Sequence, residues 1–177
     1  EADLRIERLS RLKAALSRIN HAIVHSRTAE AVFAAVCRAC VDDGGFRLAW
    51  VGVVAPATRE VTPAFVYGPA AGYMDGLAVS TNVDLPEGRC PNALVAAGRR
   101  KYLCNDLASD PLFEPWRERA ASHGLASLIS VSLQRGGRPY GLLCAYGAGK
   151  NAFDDEAVEL LEAMAQTAGI LLLRQAN

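Results

Sequence analysis

Leu9, Leu12, Leu16, Ile19 and Ile23 recur at three- and four-residue intervals through "LSRLKAALSRINHAIVHS", and most of the positions between them are polar or charged. This stripe predicts one long helix over residues 1–26, with the spacing of a coiled-coil seam. Such a stripe either pairs with a second copy or docks on the domain's own sheet. A second helical period follows, with Val32, Val36 and Cys40 on one stripe and Phe33, Cys37 and Val41 beside it. It predicts a helix from about Thr28 to Val41, capped by Thr28 or Ser26 and stopped by "DDGG".

The period then shortens. "FRLAWVGVVAP" and "REVTPAFVYG" are rich in β-formers and lie a short turn apart, which predicts an antiparallel hairpin. "PAAGYMDGL" reads as a short helix or loop, and "AVSTNVDL" as a third extended piece. "GRCPNALVAAGRR" predicts a helix opened near Pro91 and ended around Gly98. After the short strand "KYLCNDL", "SDPLFEPWRERAASHG" is a proline-broken loop passing into a helix from about Pro115 and closed by Gly124. "LASLISVSLQRGGRPYGLLCAYG" is a hairpin turned at Gly136-Gly137. The last segment is an amphipathic helix capped by Asp154, with Val158, Leu161, Ala165, Ala168 and Leu172 as its apolar stripe. This order predicts an α+β layer architecture: an antiparallel sheet with the terminal helices on one face and loops and short helices on the other.

Composition narrows the function classes. A chain of 177 residues, 51% hydrophobic and 21% charged, suits one well-cored domain. Its 19 basic and 19 acidic residues balance, which gives no electrostatic argument for a nucleic-acid or membrane partner. No apolar run reaches the roughly 20 residues that span a bilayer. The chain opens on Glu1 without a signal-peptide pattern and reads as a cytoplasmic piece of a longer protein. Five irregularly spaced cysteines argue for reduced thiols rather than a disulfide framework. Cys37 and Cys40 form a C-x-x-C, but their helical stripe turns both thiols to the apolar side, where cysteine packs as a small hydrophobe. His21 and His25 lie one turn apart without a third ligand of comparable quality, and read as a solvated or packed pair.

Taken in order, "GGFRLAWVGVV", "GYMDGL", "PEGR", "CND", "SDPLFEPWRERAASHG", "GGRPYGLLCAYG" and "FDDEAVELLE" resemble a bacterial GAF domain. The resemblance is to those placed ahead of diguanylate cyclase, cyclic-di-GMP phosphodiesterase or histidine kinase output domains. It implies a six-stranded antiparallel sheet, a layer formed by the terminal helices, and a small-molecule pocket on the opposite face. Residues 1–26 would then be a signalling helix and 27–177 the GAF domain. The fold alone names no ligand. Relatives often read "PEGRGPTG" where this chain has "PEGRCPNA", so Cys90 and Ala93 replace two glycines and the loop is less free to adopt positive φ.

Cys90 therefore carries the sharpest chemical question. Free methionine-sulfoxide reductases resemble this chain in having a cysteine in a similar loop, and they need a second, resolving thiol. Here Asp106 to Ser132 contains no cysteine, so Cys104 could resolve only if the loop brings the two sulfurs within disulfide reach, and Arg89 alone is weak support for a lowered thiol pKa. Bilin-binding relatives carry a Cys-His pair, whereas this chain has Ser122-His123. "KNAFDDE" differs in order and spacing from the cyclic-nucleotide signature, and Asp154 to Glu156 are accounted for as a helix start. No histidine sits in a haem-ligand context.

A binding module remains the leading reading. Its candidate pocket residues are Trp50, Tyr67, Tyr73, Arg89, Cys90, Asn92, Asp106, Phe113, Trp116, Ser127 and Ser130. The expected function is a regulatory, non-enzymatic sensory module that binds an unidentified small molecule. It would form a homodimer through its terminal helices and pass a signal to an output domain outside this sequence. The sequence identifies no cofactor. The alternatives are a thiol-dependent methionine-sulfoxide reductase using Cys90, and a structural spacer with a vestigial pocket.

Overall fold

The computed structural model describes residues 2–25 and 28–176, with side chains for 6–21 and 28–170. Ser26 lies outside the described residues, and Ile23, His25 and Leu172 lie outside the described side chains. The long helix α1 spans Ala2–His25, and α2 spans Ala29–Arg38. Thr28 caps α2, its Oγ1 accepting from Ala31 N at 3.2 Å. "DDGG" does not end the helix at once. The backbone first widens into a π turn over Ala39–Asp43 and leaves it at Gly45, where φ is +73°.

Five antiparallel strands follow: β1 (Leu48–Val54), β2 (Val61–Tyr67), β3 (Lys101–Cys104), β4 (Ser127–Arg135) and β5 (Arg138–Gly147). Their spatial order is β2-β1-β5-β4-β3. Helices α3 (Pro91–Ala96) and α4 (Arg117–Ser122) interrupt the strands, and α5 (Asp155–Ala176) closes the chain. The β4–β5 hairpin turns at Gly136 and Gly137, with φ of +59° and +80°, the two positive angles a tight hairpin of this hand requires.

The sheet has five strands among the described residues, not the six that the resemblance implies. "AVSTNVDL" contributes a single bridge, Ser80 with Glu60. Its polar side chains bond the local backbone instead. Ser80 Oγ accepts from Asn82 N and Asn82 Oδ1 accepts from Asp84 N, both at 3.0 Å. Such short-range bonds compete directly with a strand ladder.

Strand alternation divides the interior into two cores. Ala49, Val51, Ile129, Val131, Leu143 and Ala145 face the layer of α1, α2 and α5. Leu48, Trp50, Leu128, Leu142, Cys144 and Tyr146 face the loops, α3 and α4. Leu9, Leu12 and Ile19 are buried and Leu16 is half-buried, because α1 packs on α5, α2 and the π turn of its own chain. The described part of the apolar stripe, Leu9 to Ile19, thus packs within the chain. Cys37 and Cys40 are buried in the same helical core as free thiols. Asp154 Oδ1 accepts from Ala157 N at 2.9 Å and caps α5, whose Val158, Leu161, Ala165 and Ala168 are buried. Among the described residues, no helix is long and apolar enough to cross a membrane.

Candidate functional site

The loop-covered face is built on three strand positions that lie side by side. Cys144 of β5 pairs with Trp50 of β1 on one flank and with Ser130 of β4 on the other. Tyr146, two residues along β5, points to the same face. Helix α3 lies over this row because its start is tightly fixed. Gly88 sits where a Cβ would stand 1.8 Å from Asn82 O, so no other residue fits the turn that leads into the helix. Pro91 takes the first helical position, where its missing N–H is no loss.

Cys90 is the N-cap of α3. Its extended backbone places Sγ to accept from Ala93 N at 3.4 Å, while the thiol reaches Glu87 O at 3.7 Å. Burial pushes the thiol above its ordinary pKa, and the backbone N–H groups of α3 offset this only in part. Burial therefore favours the protonated, capping form of this thiol. Cys104, the other thiol in question, is raised to about 11, mainly by burial.

Asn92 projects from the first turn of α3 into the buried face and is only 4% exposed. Its Nδ2 donates to Tyr146 Oη at 3.1 Å, but its Oδ1 has no partner. Trp50 Nε1 and Ser130 Oγ, on side chains with no exposed surface, are likewise without a partner. Trp50, Asn92 and Tyr146 all approach the Cys144 thiol, whose pKa burial raises strongly. Burial also holds the phenols of Tyr73 and Tyr146 well above their usual range. The thiols of Cys90 and Cys144 and the phenols of Tyr73 and Tyr146 therefore keep their protons at ordinary pH.

The outer wall comes from the proline-marked segment between Asp110 and Arg117. Phe113 is buried and Trp116 half-buried, with ring centroids 6.1 Å apart. Asp110 fixes this stretch by accepting from Leu112 N at 2.9 Å and from Tyr102 Oη at 2.8 Å, while Arg117 donates to Asp110 O at 2.8 Å. Inside the wall, a cavity of about 10 Å³ lies among Tyr73, Val79, Cys90, Asn92 and Phe113. That is about the space of one water molecule. Outside it runs a groove of about 670 Å³ between Gly76–Ala78, Pro86–Glu87 and Pro115–Ser122. Leu77, Ala78 and Trp116 border both spaces and form the partition between them.

Of the predicted site residues, Trp50, Tyr73, Cys90, Asn92, Phe113, Trp116 and Ser130 come together on this face. Four do not. Tyr67 pairs with Ala49, whose side faces the helices, and its hydroxyl donates to Asp42 Oδ1 at 2.9 Å under the Arg38 guanidinium. Ser127 has the same strand parity as Ile129 and fastens the next loop by donating to Gly149 O at 2.9 Å. Arg89 is exposed, and its guanidinium donates to Val83 O and Asp84 O at 2.8 and 3.3 Å. Asp106 lies at the rim, where Oδ2 accepts from Ser109 Oγ and stands 3.7 Å from Lys150 Nζ. The residues on this face that sequence reasoning did not single out are Cys144, Tyr146 and Leu77. The first two were legible as the period-two continuation of Leu142 in "GLLCAYG". Leu77 carries no local signal.

This architecture recurs among solved structures. The free methionine-R-sulfoxide reductase of Neisseria meningitidis is 20% identical, with a TM-score of 0.76 over 94% of this chain and 92% of that one. The GAF domain of a phosphoenolpyruvate-protein phosphotransferase from Coxiella burnetii is 11% identical, with a TM-score of 0.77 over 94% and 95% of the two chains. A far-red-absorbing protein, JSC1_58120g3, with bound biliverdin IXa is 16% identical, with a TM-score of 0.69 over 92% and 99%. At these identities the likeness is one of fold. No curated protein matches the sequence. A family model described as GAF domain matches residues 26–172, the greater part of the chain, and the chain therefore belongs to the GAF domain family.

Proposed function

We propose that this chain is a regulatory sensory module, not an enzyme, and that a small molecule enters the face between α3, the Phe113–Trp116 segment and the sheet. The observation that carries this reading is the set of partnerless polar atoms, Trp50 Nε1, Asn92 Oδ1 and Ser130 Oγ, on one deeply buried face. Orphaned polar groups in a packed interior cost about 1–3 kcal/mol each, and a bound ligand would satisfy them. Entry requires Trp116 and Leu77 to part, which joins the outer groove to the inner cavity.

Signal transfer then runs through β5. Cys144 and Tyr146 face the site, while Leu143 and Ala145 of the same strand face the helices. A ligand that prefers a displaced β5 shifts the population of that state, and α5, packed on the sheet, follows it toward an output domain. Self-pairing falls to the outward faces of α1 and α5, where Ile6 and Ile170 are 62% and 50% exposed. Native mass spectrometry of the purified chain tests the reading. A small molecule retained by the parent and lost from Trp116→Ala supports it, and an empty protein that also ignores ligand libraries favours a spacer.

The competing reading is thiol reduction of methionine sulfoxide at Cys90, which the likeness to free methionine-R-sulfoxide reductase brings forward. The capped, buried state of Cys90 speaks against it. Turnover of free methionine sulfoxide with a thiol reductant, abolished by Cys90→Ser, would establish that chemistry instead.

A further inference from the structure

We infer that the molecule accepted by the loop-covered face is uncharged and presents a hydrogen-bond acceptor beside a donor, as a carboxamide does. The inference rests on the reading of that face as a ligand site and adds the chemistry of what it takes. Trp50 Nε1 can only donate and Asn92 Oδ1 can only accept, so their complement is one acceptor and one donor. Ser130 Oγ can do either, and sits across the strand from Cys144, the residue that Trp50 and Asn92 also approach.

The lining of the inner cavity, which Asn92 borders, disfavours charge. The walls of the inner cavity carry no lysine, arginine, aspartate or glutamate. Arg119, which lines the outer groove, and Arg89, beside Cys90, already donate to backbone carbonyls. Arg119 donates to Tyr73 O at 2.7 Å and to Asp75 O, with its guanidinium over the Tyr73 ring, and Arg89 donates to Val83 O and Asp84 O. A carboxylate or phosphate bound in the inner cavity would be desolvated without a counter-ion, and an ammonium there would meet no carboxylate, since Glu87 and Glu118 line only the outer groove. A neutral amide loses much less hydration and regains both hydrogen bonds.

Matched probe trios test this on the full chain: acetamide with acetate and acetamidine, and benzamide with benzoate and benzamidine. Binding is read by ligand-observed NMR and by the shift in melting temperature. The amide of at least one trio should bind ten or more times more tightly than its acid and its amidine. Asn92→Leu and Trp50→Phe should each weaken that binding at least tenfold. Ser130→Ala, which leaves the packing nearly unchanged, should weaken it several-fold even if the larger changes unfold the protein. Acids or amidines that bind as well as the amides, or a charged molecule retained in native mass spectrometry, overturn the assigned class and leave the ligand site standing. If no probe binds and no molecule of any kind is retained, the ligand site itself falls, and the class with it.

Discussion

Asn92 and Tyr146 meet 3.1 Å apart in a fully enclosed interior, the amide Nδ2 donating to the phenol oxygen. This bond pins the first turn of α3 to β5, the strand that carries both cores. Tyr146→Phe leaves the amide nitrogen buried without an acceptor and should cost about 1–3 kcal/mol in urea unfolding. Asn92→Leu combined with Tyr146→Phe removes both polar partners together. The double variant should therefore recover part of that loss, and strictly additive losses would show that the pair does not interact.

Cys90 should behave as a cap. Cys90→Ser keeps an acceptor for Ala93 N and should leave stability within about 1 kcal/mol of the parent, whereas Cys90→Val removes the acceptor and should cost about 1 kcal/mol. Alkylation of Cys90 in the folded protein at neutral pH should be much slower than in urea. Rapid labelling of the native state would mean that the thiol is accessible and ionised.

Stability should fall at alkaline pH. Each buried thiol or phenol holds its proton more tightly in the folded state, so its contribution is complete below the unfolded thiol value of about 8.5. It is lost as the pH rises toward the folded values, about 11 for Cys104 and about 12 for Cys40 and Tyr102. The urea midpoint should be nearly unchanged by these groups between about pH 6 and about pH 8 and should drop steadily above that. Cys40→Ala should make the alkaline decline shallower.

The two tryptophans report on the partition. Trp50 has no exposed surface and Trp116 is half-buried. In Trp116→Phe the remaining emission should be blue-shifted and almost untouched by acrylamide. Trp116→Ala should cost about 1 kcal/mol, since only part of the ring is buried, but should make Trp50 measurably easier to quench. By contrast Trp50→Ala should cost about 3–5 kcal/mol. Equal quenching of Trp50 in the two Trp116 variants would show that Trp116 does not close the cavity.

Tyr67→Phe separates the helical face from the site. It removes the hydrogen bond to Asp42 at the surface, so it should cost less than about 1 kcal/mol and leave the binding of any probe unchanged. Loss of binding in this variant would place the ligand on the other side of the sheet.

Local sequence carried the helices and hairpins because their signals are short-range. The three- and four-residue period of Leu9, Leu12, Leu16 and Ile19 sufficed for α1, Thr28 and Asp154 for the caps, and Gly136-Gly137 for the β4–β5 turn. Ordered blocks from "GGFRLAWVGVV" to "FDDEAVELLE" sufficed for the family. Alternation also split "LISVSL" into two faces. It could not say which face looked toward the helices, nor how that strand registered with β1. That register, pairing Cys144 with Trp50 and Ser130, sends Tyr67 and Ser127 away from the site and brings in Cys144 and Tyr146. The outer space was equally illegible, because whether Leu9 and Leu12 meet a second copy or α5 depends on how α1 folds back on its own chain. Periodicity fixes the direction of each side chain relative to its own element. What that side chain meets is set by partners distant in sequence, and so the burial of Asn92, the capped thiol of Cys90 and the closure of the cavity by Trp116 were decided only by the tertiary structure.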